Sequence, residues 1–259
     1  MDTNEQLQPF TGSNRSVTTG RIVRTVVAGL LVVLAPPREG PAATACDPPS
    51  TRVLPVELIP QEHDNWCWAA TAQMVMNAVG NDPVPQCEQL AAALDKEACC
   101  QNPTACDEPG WPEFWKFGYS ATVIPEGTAL TWAQIQDQIA CQGKPFVWAY
   151  RYPNKCRAHM VVVVGYRTTR QGVKSLKCLD PSPTGTGASW YITYEAYTNG
   201  YAGVHWRHYL DVTKVGPGAT PIPKPACDAR RDSAETKTKW VGRKTETKVA
   251  ATNVKENKP

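Results

Sequence analysis

The chain has 259 residues, enough for one full-sized domain with extensions at either end. Apolar residues make up 42% and charged residues 20%, an ordinary balance for a globular core. A formal net charge of only +3 is too weak to point to nucleic acid as a partner.

Near the N-terminus, Arg15, Arg21 and Arg24 precede an apolar run over residues 26–35, closed by Pro36 and Pro37. The run falls well short of the ~20 residues that span a bilayer. It fits the core of a signal peptide, with Ala43, Thr44 and Ala45 as a small-residue cleavage site. Residues 1–45 are therefore expected to be a signal peptide. The mature protein is then secreted, or held at the cell surface or in the periplasm, with no stable membrane span. The long n-region with Asp2 and Glu5 leaves a retained anchor or a different start as the competing reading. Cleavage after Ala45 makes Cys46 the first mature residue, where a lipid can be attached. Ala43 stands where lipidation signals place a bulky apolar residue, so a lipid anchor at Cys46 is the minority reading.

Ten cysteines occur, with Cys99 and Cys100 adjacent. In an oxidising compartment they read as a disulfide framework. Zinc held by Cys99, Cys100 and Cys106 is the rival account, but the paired CxxC or HxxxH spacings that mark zinc sites do not occur. Neither a metal nor a cofactor is expected.

Residues 46–60 form a lead-in whose prolines at 48, 49, 55 and 60 discourage helix. Asp64 or Asn65 is placed to cap a helix over residues 66–79, ended by Gly80 and Asn81. That helix is apolar nearly all round and is expected to be buried. A second helix is predicted over residues 86–96, with Leu90 and Leu94 one turn apart. A cysteine- and proline-rich loop follows, over residues 99–125. Thr131 and Gln134 make a capping box for a third helix over residues 132–141, stopped by Gly143. Beyond it the pattern changes to strands over residues 145–150, 159–166, 173–179, 188–193 and 204–212. Helices first and strands afterwards predict an α+β fold with an early helix packed on an antiparallel sheet. From Thr213 the composition turns to Gly and Pro, and then to a Lys/Thr/Glu-rich tail read as disordered. The expected division is a signal peptide (1–45), one domain (46–212), and a linker with a basic tail (213–259).

One position stands out chemically. Cys67 falls in the first turn of the buried helix, where unpaired N–H groups favour the thiolate that a cysteine nucleophile needs. A base must lie near it. Of the four histidines, His159 opens the most apolar strand, where a polar residue has little use without a task. His205 and His208 are read as surface residues of the last strand, and His63 sits on the loop before the helix. A histidine base needs its ring oriented by a third group. Asp180 ends the strand that pairs with the one His159 begins, so a hairpin brings the two side by side. The plainer reading of Asp180 is a turn residue before Pro181. For an oxyanion, the Cys67 backbone N–H is one donor and the Gln61 side-chain amide, six residues upstream, can supply another.

Gln61, then Cys67-Trp68-Ala69, then His159 followed by a valine run and Gly165, then Asp180-Pro181 resembles the papain-like cysteine peptidases. The likeness covers about residues 55–212. It is nearest the branch with Asp as third member, which includes bacteriocin-leader peptidases and secreted avirulence-type bacterial proteases. The block from Asn65 to Ala70, the Cys99-Cys100…Cys106 loop and Ser189-Trp190-Tyr191 also resemble that branch. The resemblance implies a papain-like fold and a thiol endopeptidase acting on protein or peptide substrate. It gives Cys67, His159, Asp180 and Gln61 the roles of nucleophile, base, orienter and oxyanion donor. Trp66 and Trp68 become packing residues beside the nucleophile. Two features depart from the papain pattern: only residues 46–60 precede Gln61 after the cleavage site, and the basic tail has no counterpart.

With Cys67 set aside, nine cysteines remain, an odd number. If Cys46 is the exception, Cys87, Cys99, Cys100, Cys106, Cys141, Cys156, Cys178 and Cys227 can form four bridges, with no pairing assigned. Cys99 and Cys100 are not expected to bond each other. Other readings are a non-catalytic module, a surface lipoprotein, and an acyltransferase or amidase using the same site. A monomer is expected. Trp111, Trp115 and Trp148 are candidates for apolar subsites, with core packing the plainer role for each.

Overall fold

The order of apolar segments in the chain sets the architecture. A computed structural model describes residues 46–152, 157–201 and 203–225, all within one unit, Ala45–Pro259. The expected signal peptide, the tail beyond residue 225, Cys156 and Cys227 lie outside the described residues.

The chain begins with a short strand β1, Thr51–Val53, followed by helices α1, Cys67–Gly80, and α2, Gln86–Leu94. Asn81 and Asp95 end these helices in the left-handed conformation, the common helix stop. Three 3-10 turns follow, at Glu97–Cys100, Pro103–Cys106 and Phe114–Phe117. Strand β2, Tyr119–Ile124, lies where a loop was expected. The capping box of Thr131 and Gln134 forms, but α3 is only Trp132–Gln136 and passes into a π-turn, Asp137–Cys141. Strands β3, Phe146–Arg151, β4, Ala158–Thr168, β5, Lys174–Asp180, and β6, Ala188–Thr193, match the expected positions within a few residues. A short helix α4, Tyr194–Thr198, then leads to β7, Val204–Lys214.

The strands form an antiparallel sheet in the order β2-β7-β3-β4-β5-β6. The long β4 pairs β3 through its first half, and β1 docks on its second half at Gly165–Arg167. Both faces are covered. Val147, Ala149, Met160, Val162 and Val164 pack against α1, whereas Phe146, Trp148, Val161 and Val163 pack against Leu130, Ile135 and Ile139. This two-sided burial explains why residues 160–164 read as an unbroken apolar run instead of an alternating one. The helix-then-sheet α+β order expected of a papain-like fold is present.

Several expectations require correction. β1 forms in the proline-spaced lead-in, because prolines exclude helix but leave Thr51, Arg52 and Val53 free to pair with β4. Neither Asp64 nor Asn65 caps α1. Trp66 holds the cap position without a side-chain capping bond, while Asp64 accepts from the Thr184 hydroxyl and Asn65 bonds Asp107. His205 and His208 are buried, not on the surface. A bulge at Trp206, where β7 slips against β3, turns both imidazoles onto one face although they are three residues apart.

Three disulfides join Cys46 to Cys141, Cys87 to Cys100 and Cys99 to Cys106. Cys46 is therefore not the unpaired cysteine, and its sulfur is not free to carry a lipid. Cys67 and Cys178 are the free thiols among the described residues. Cys178 is fully buried in the sheet. Residues 215–225, expected as part of a linker, contact Gly118, Arg207 and Glu113 through Val215 and Gly216 N–H, Pro223 O and Lys224 Nζ.

Candidate active site

Cys67 is the first residue of α1, and its position is fixed by the tryptophans on either side. Both rings are buried, and each indole N–H donates to the cysteine-rich loop: Trp66 to Cys106 O at 3.1 Å and Trp68 to Glu108 O at 3.3 Å. Asn65 N–H donates to the Asp107 carboxylate at 2.9 Å. The Cys99–Cys106 bridge closes this loop, so this disulfide braces the start of α1. With no side-chain cap, the first-turn N–H groups of α1 keep their partial positive charge for an anion at Cys67.

His159 enters from the start of β4, opposite Tyr150 of β3. Its Nε2 lies 2.6 Å from Asp180 Oδ1, and both side chains are about 15% exposed. The hairpin of β4 and β5 runs in the expected register, so the end of one strand lies beside the start of the other. Asp180 is itself held. Ser182 N–H donates to Oδ1 at 2.9 Å, and the Trp190 indole N–H reaches Oδ2 at 3.4 Å. Burial by itself pulls the His159 pKa down. Hydrogen bonds to Asp180 and to the Cys67 thiol, together with their negative charge, outweigh it and hold the imidazole at about 10. The ring is therefore an imidazolium at neutral pH, the partner a thiolate needs.

Gln61 is also drawn to this region, but its amide does not face the cleft. The Gln61 backbone N–H donates to Pro181 O at 2.9 Å, beside Asp180. Its Nε2 donates to His63 O and Asp64 O, each at 3.0 Å, and to the Thr184 hydroxyl at 3.3 Å. Its Oε1 is buried without a partner. In this arrangement the amide shapes the loop that enters α1.

The cleft has a volume of about 520 Å³ and is lined by Cys67, His159, Trp68, Trp111, Tyr152 and Trp206, among others. Trp111 meets Trp206 edge to face at 4.6 Å. Of the three candidate subsite tryptophans, Trp111 lines the cleft, Trp148 is core, and Trp115 lies beneath the Lys116 ammonium. Sequence reading gave no role to Trp206, Tyr152 or the Trp190 N–H. Trp206 reaches the cleft because the β7 bulge turns it away from His205 and His208, a feature with no local signature. Burial, and then the charges of Asp180 and Cys67, raise the Tyr152 phenol, so a neutral O–H stands on the cleft wall.

Apart from this site, the two buried histidines form a separate cluster. His208 Nε2 is 2.8 Å from the Tyr197 hydroxyl, and His205 Nε2 is 2.6 Å from Tyr197 O. Burial lowers the pKa of both, and His205 lowers that of His208 further. They serve packing.

Residues 53–209 match the model of the Peptidase_C39-like family. The chain belongs to that family, and with it to the cysteine peptidases. No curated protein matches the sequence. Among solved structures, bromelain from Ananas comosus bound to the E64 inhibitor is 13% identical, with a TM-score of 0.42, over 62% of this chain and 98% of that one. The proform of the ragweed pollen cysteine protease Amb a 11 is 13% identical, with a TM-score of 0.44, over 65% and 66%.

Proposed function

We propose that this member of the Peptidase_C39-like family is a secreted thiol endopeptidase working through a thioester. Cys67 is the nucleophile, His159 the acid–base group and Asp180 the orienting carboxylate. The observation that carries the reading is the chain of contacts from Cys67 to His159 to Asp180 at the mouth of a cleft. The Cys67 thiolate attacks the peptide carbonyl carbon, and the negative charge moves to the carbonyl oxygen. Collapse of that intermediate breaks the C–N bond while the His159 imidazolium gives its proton to the leaving amine. Water then attacks the thioester, His159 takes its proton, and the C–S bond breaks to release the acid and restore the thiol pair.

The Cys67 N–H is one oxyanion donor. Gln61, expected from the sequence as the second, keeps its Nε2 on His63 O, Asp64 O and the Thr184 hydroxyl, and its part here is to hold the loop that presents Cys67. Three disulfides among the described residues support an oxidising compartment.

The test is mass spectrometry of the full chain and of Cys67→Ala after brief treatment with a peptidyl electrophile, followed by incubation with a peptide mixture. One adduct and new peptide termini are expected for the native chain and neither for the variant. An adduct at another cysteine, or equal cleavage by both proteins, refutes the assignment. Amine-capped products in place of new carboxy termini would identify an acyltransferase.

A further inference from the structure

Alternation along β4 gives the surroundings of Cys67 two sides. Met160 shares the face of Val162 and Val164, toward α1, and lines the cleft with Trp111 and Trp206. His159 points the other way, with the Tyr150 ring edge to face at 5.7 Å. A row of aromatic rings continues on His159's side. Tyr152 lies 6.0 Å from Tyr150, and Tyr201 meets Tyr150 edge-on at 5.8 Å. Tyr201 also stacks on Trp190 at 5.4 Å, the residue whose N–H reaches Asp180. Tyr150 is buried, but Tyr152 and Tyr201 are 38% and 53% exposed. Val204, paired with Arg151 next to Tyr152, is exposed as well. Tyr201 is held at a φ of +51°, a conformation unfavourable for a residue with a Cβ. Gly203 has no room for a Cβ, since Arg151 O would stand 1.8 Å from it. The start of β7 therefore lies flat on the end of β3 and keeps Tyr201 against Tyr150.

We infer that Tyr152, Tyr201 and Trp190 bind the leaving half of the substrate and take an aromatic or large apolar side chain from its first two residues. This rests on the peptidase reading above and specifies its substrate class. His159 gives its proton to the leaving amine, so that nitrogen lies against the imidazole. The chain it carries then departs on His159's side, across the rings that flank it, whereas Trp111 and Trp206 are left to the acyl half. An extended residue advances roughly 3.3 Å, so two residues cover the 5.8 Å from Tyr150 to Tyr201. None of the three rings carries a charge, and Asp180 is already engaged by His159, Ser182 and Trp190. Recognition there is by ring stacking and apolar contact. A fixed, half-exposed aromatic row continuous with a reactive cleft is the kind of patch that marks a binding site.

The test acylates Cys67 of the full chain with a short peptidyl methyl thioester, whose leaving group is only methanethiol. Water attacking this acyl-enzyme gives the acid. An added dipeptide amide gives a new peptide instead: its amine nitrogen bonds the acyl carbon, the C–S bond breaks, and the amine proton returns to the Cys67–His159 pair. Both products come from one acyl-enzyme, so their ratio does not respond to a loss of folded protein. Phe-Gly amide or Gly-Phe amide should compete with water about tenfold better than Gly-Gly amide. Tyr201→Phe, which keeps the ring, should retain the preference. Tyr201→Asn, which suits the left-handed backbone, should lose it. Equal competition by all three amides in the native chain, or an undiminished preference in Tyr201→Asn, overturns the inference. Absence of thioester turnover in the native chain overturns the peptidase reading instead. Binding is then read in Cys67→Ala by anisotropy of labelled peptides differing only in Phe or Gly after the expected cleavage point. About tenfold tighter binding of the Phe peptide, lost on adding Tyr201→Asn, supports the site; equal binding overturns it.

Discussion

Replacing Asp180 with Asn separates charge from shape at the site. The amide keeps an oxygen for the Ser182 N–H and nearly the same volume, but it removes the negative charge 2.6 Å from His159 Nε2. A hydrogen bond to a charged group contributes roughly 1.5–3 kcal/mol, and each 1.36 kcal/mol is tenfold in an equilibrium. The balance between the thiol–imidazole and thiolate–imidazolium forms should therefore fall by roughly ten- to 150-fold. Two readouts follow. The second-order rate of iodoacetamide labelling of Cys67 at pH 6 should fall by about that factor. The pH above which the imidazolium is lost, about 10 in the native chain, should move down. Thermal stability should change little, because the Ser182 bond and the packing survive. If labelling at pH 6 stays at the native rate while the melting temperature falls, Asp180 is a turn residue and the orienting role is wrong.

Acid should destabilise the fold through the buried histidine pair. Burial depresses both His205 and His208, so they contribute stability above the unfolded value of about 6.5 and lose it as pH falls below that. One to two protons taken up on unfolding predict about 1–3 kcal/mol lost between pH 6 and 5 by urea titration; a flat profile would mean that the pair is already charged in the fold. His159 acts in the opposite sense, its contribution present below pH 6.5 and lost as pH rises toward about 10. Cys178, fully buried with its thiol pushed up by burial, should resist iodoacetamide until the chain is denatured, as peptide mapping will reveal. Gly110→Ala should cost about 1–3 kcal/mol by overpacking the Trp68 ring and slow peptidyl labelling. A change below about 0.5 kcal/mol, within the range of neutral surface substitutions, would mean that the ring moves freely.

Much of this molecule was legible from local pattern. An apolar run bounded by Gly80 and Asn81 specifies α1 wherever it packs, and the unbroken valines after His159 specify a strand buried on both faces. The order Cys67, His159, Asp180 carried the site because hairpin geometry alone places the end of β5 beside the start of β4. What the sequence left open depends on contacts between distant segments. Cysteine parity required one cysteine besides Cys67 to lie outside the intramolecular bridges, but only the packing left Cys178 free among the described residues and bound Cys46 to Cys141 across the chain. β1 and β2 exist because β4 and β7 offer them partners, not because their residues demand extension. The β7 bulge, which buries His205 and His208 and turns Trp206 to the cleft, arises from register against β3. The hydrogen bonds of Gln61 and the contacts of residues 215–225 are likewise set by the surfaces they meet. Periodicity reports which way a residue faces within its own element, and these features depend on what stands opposite.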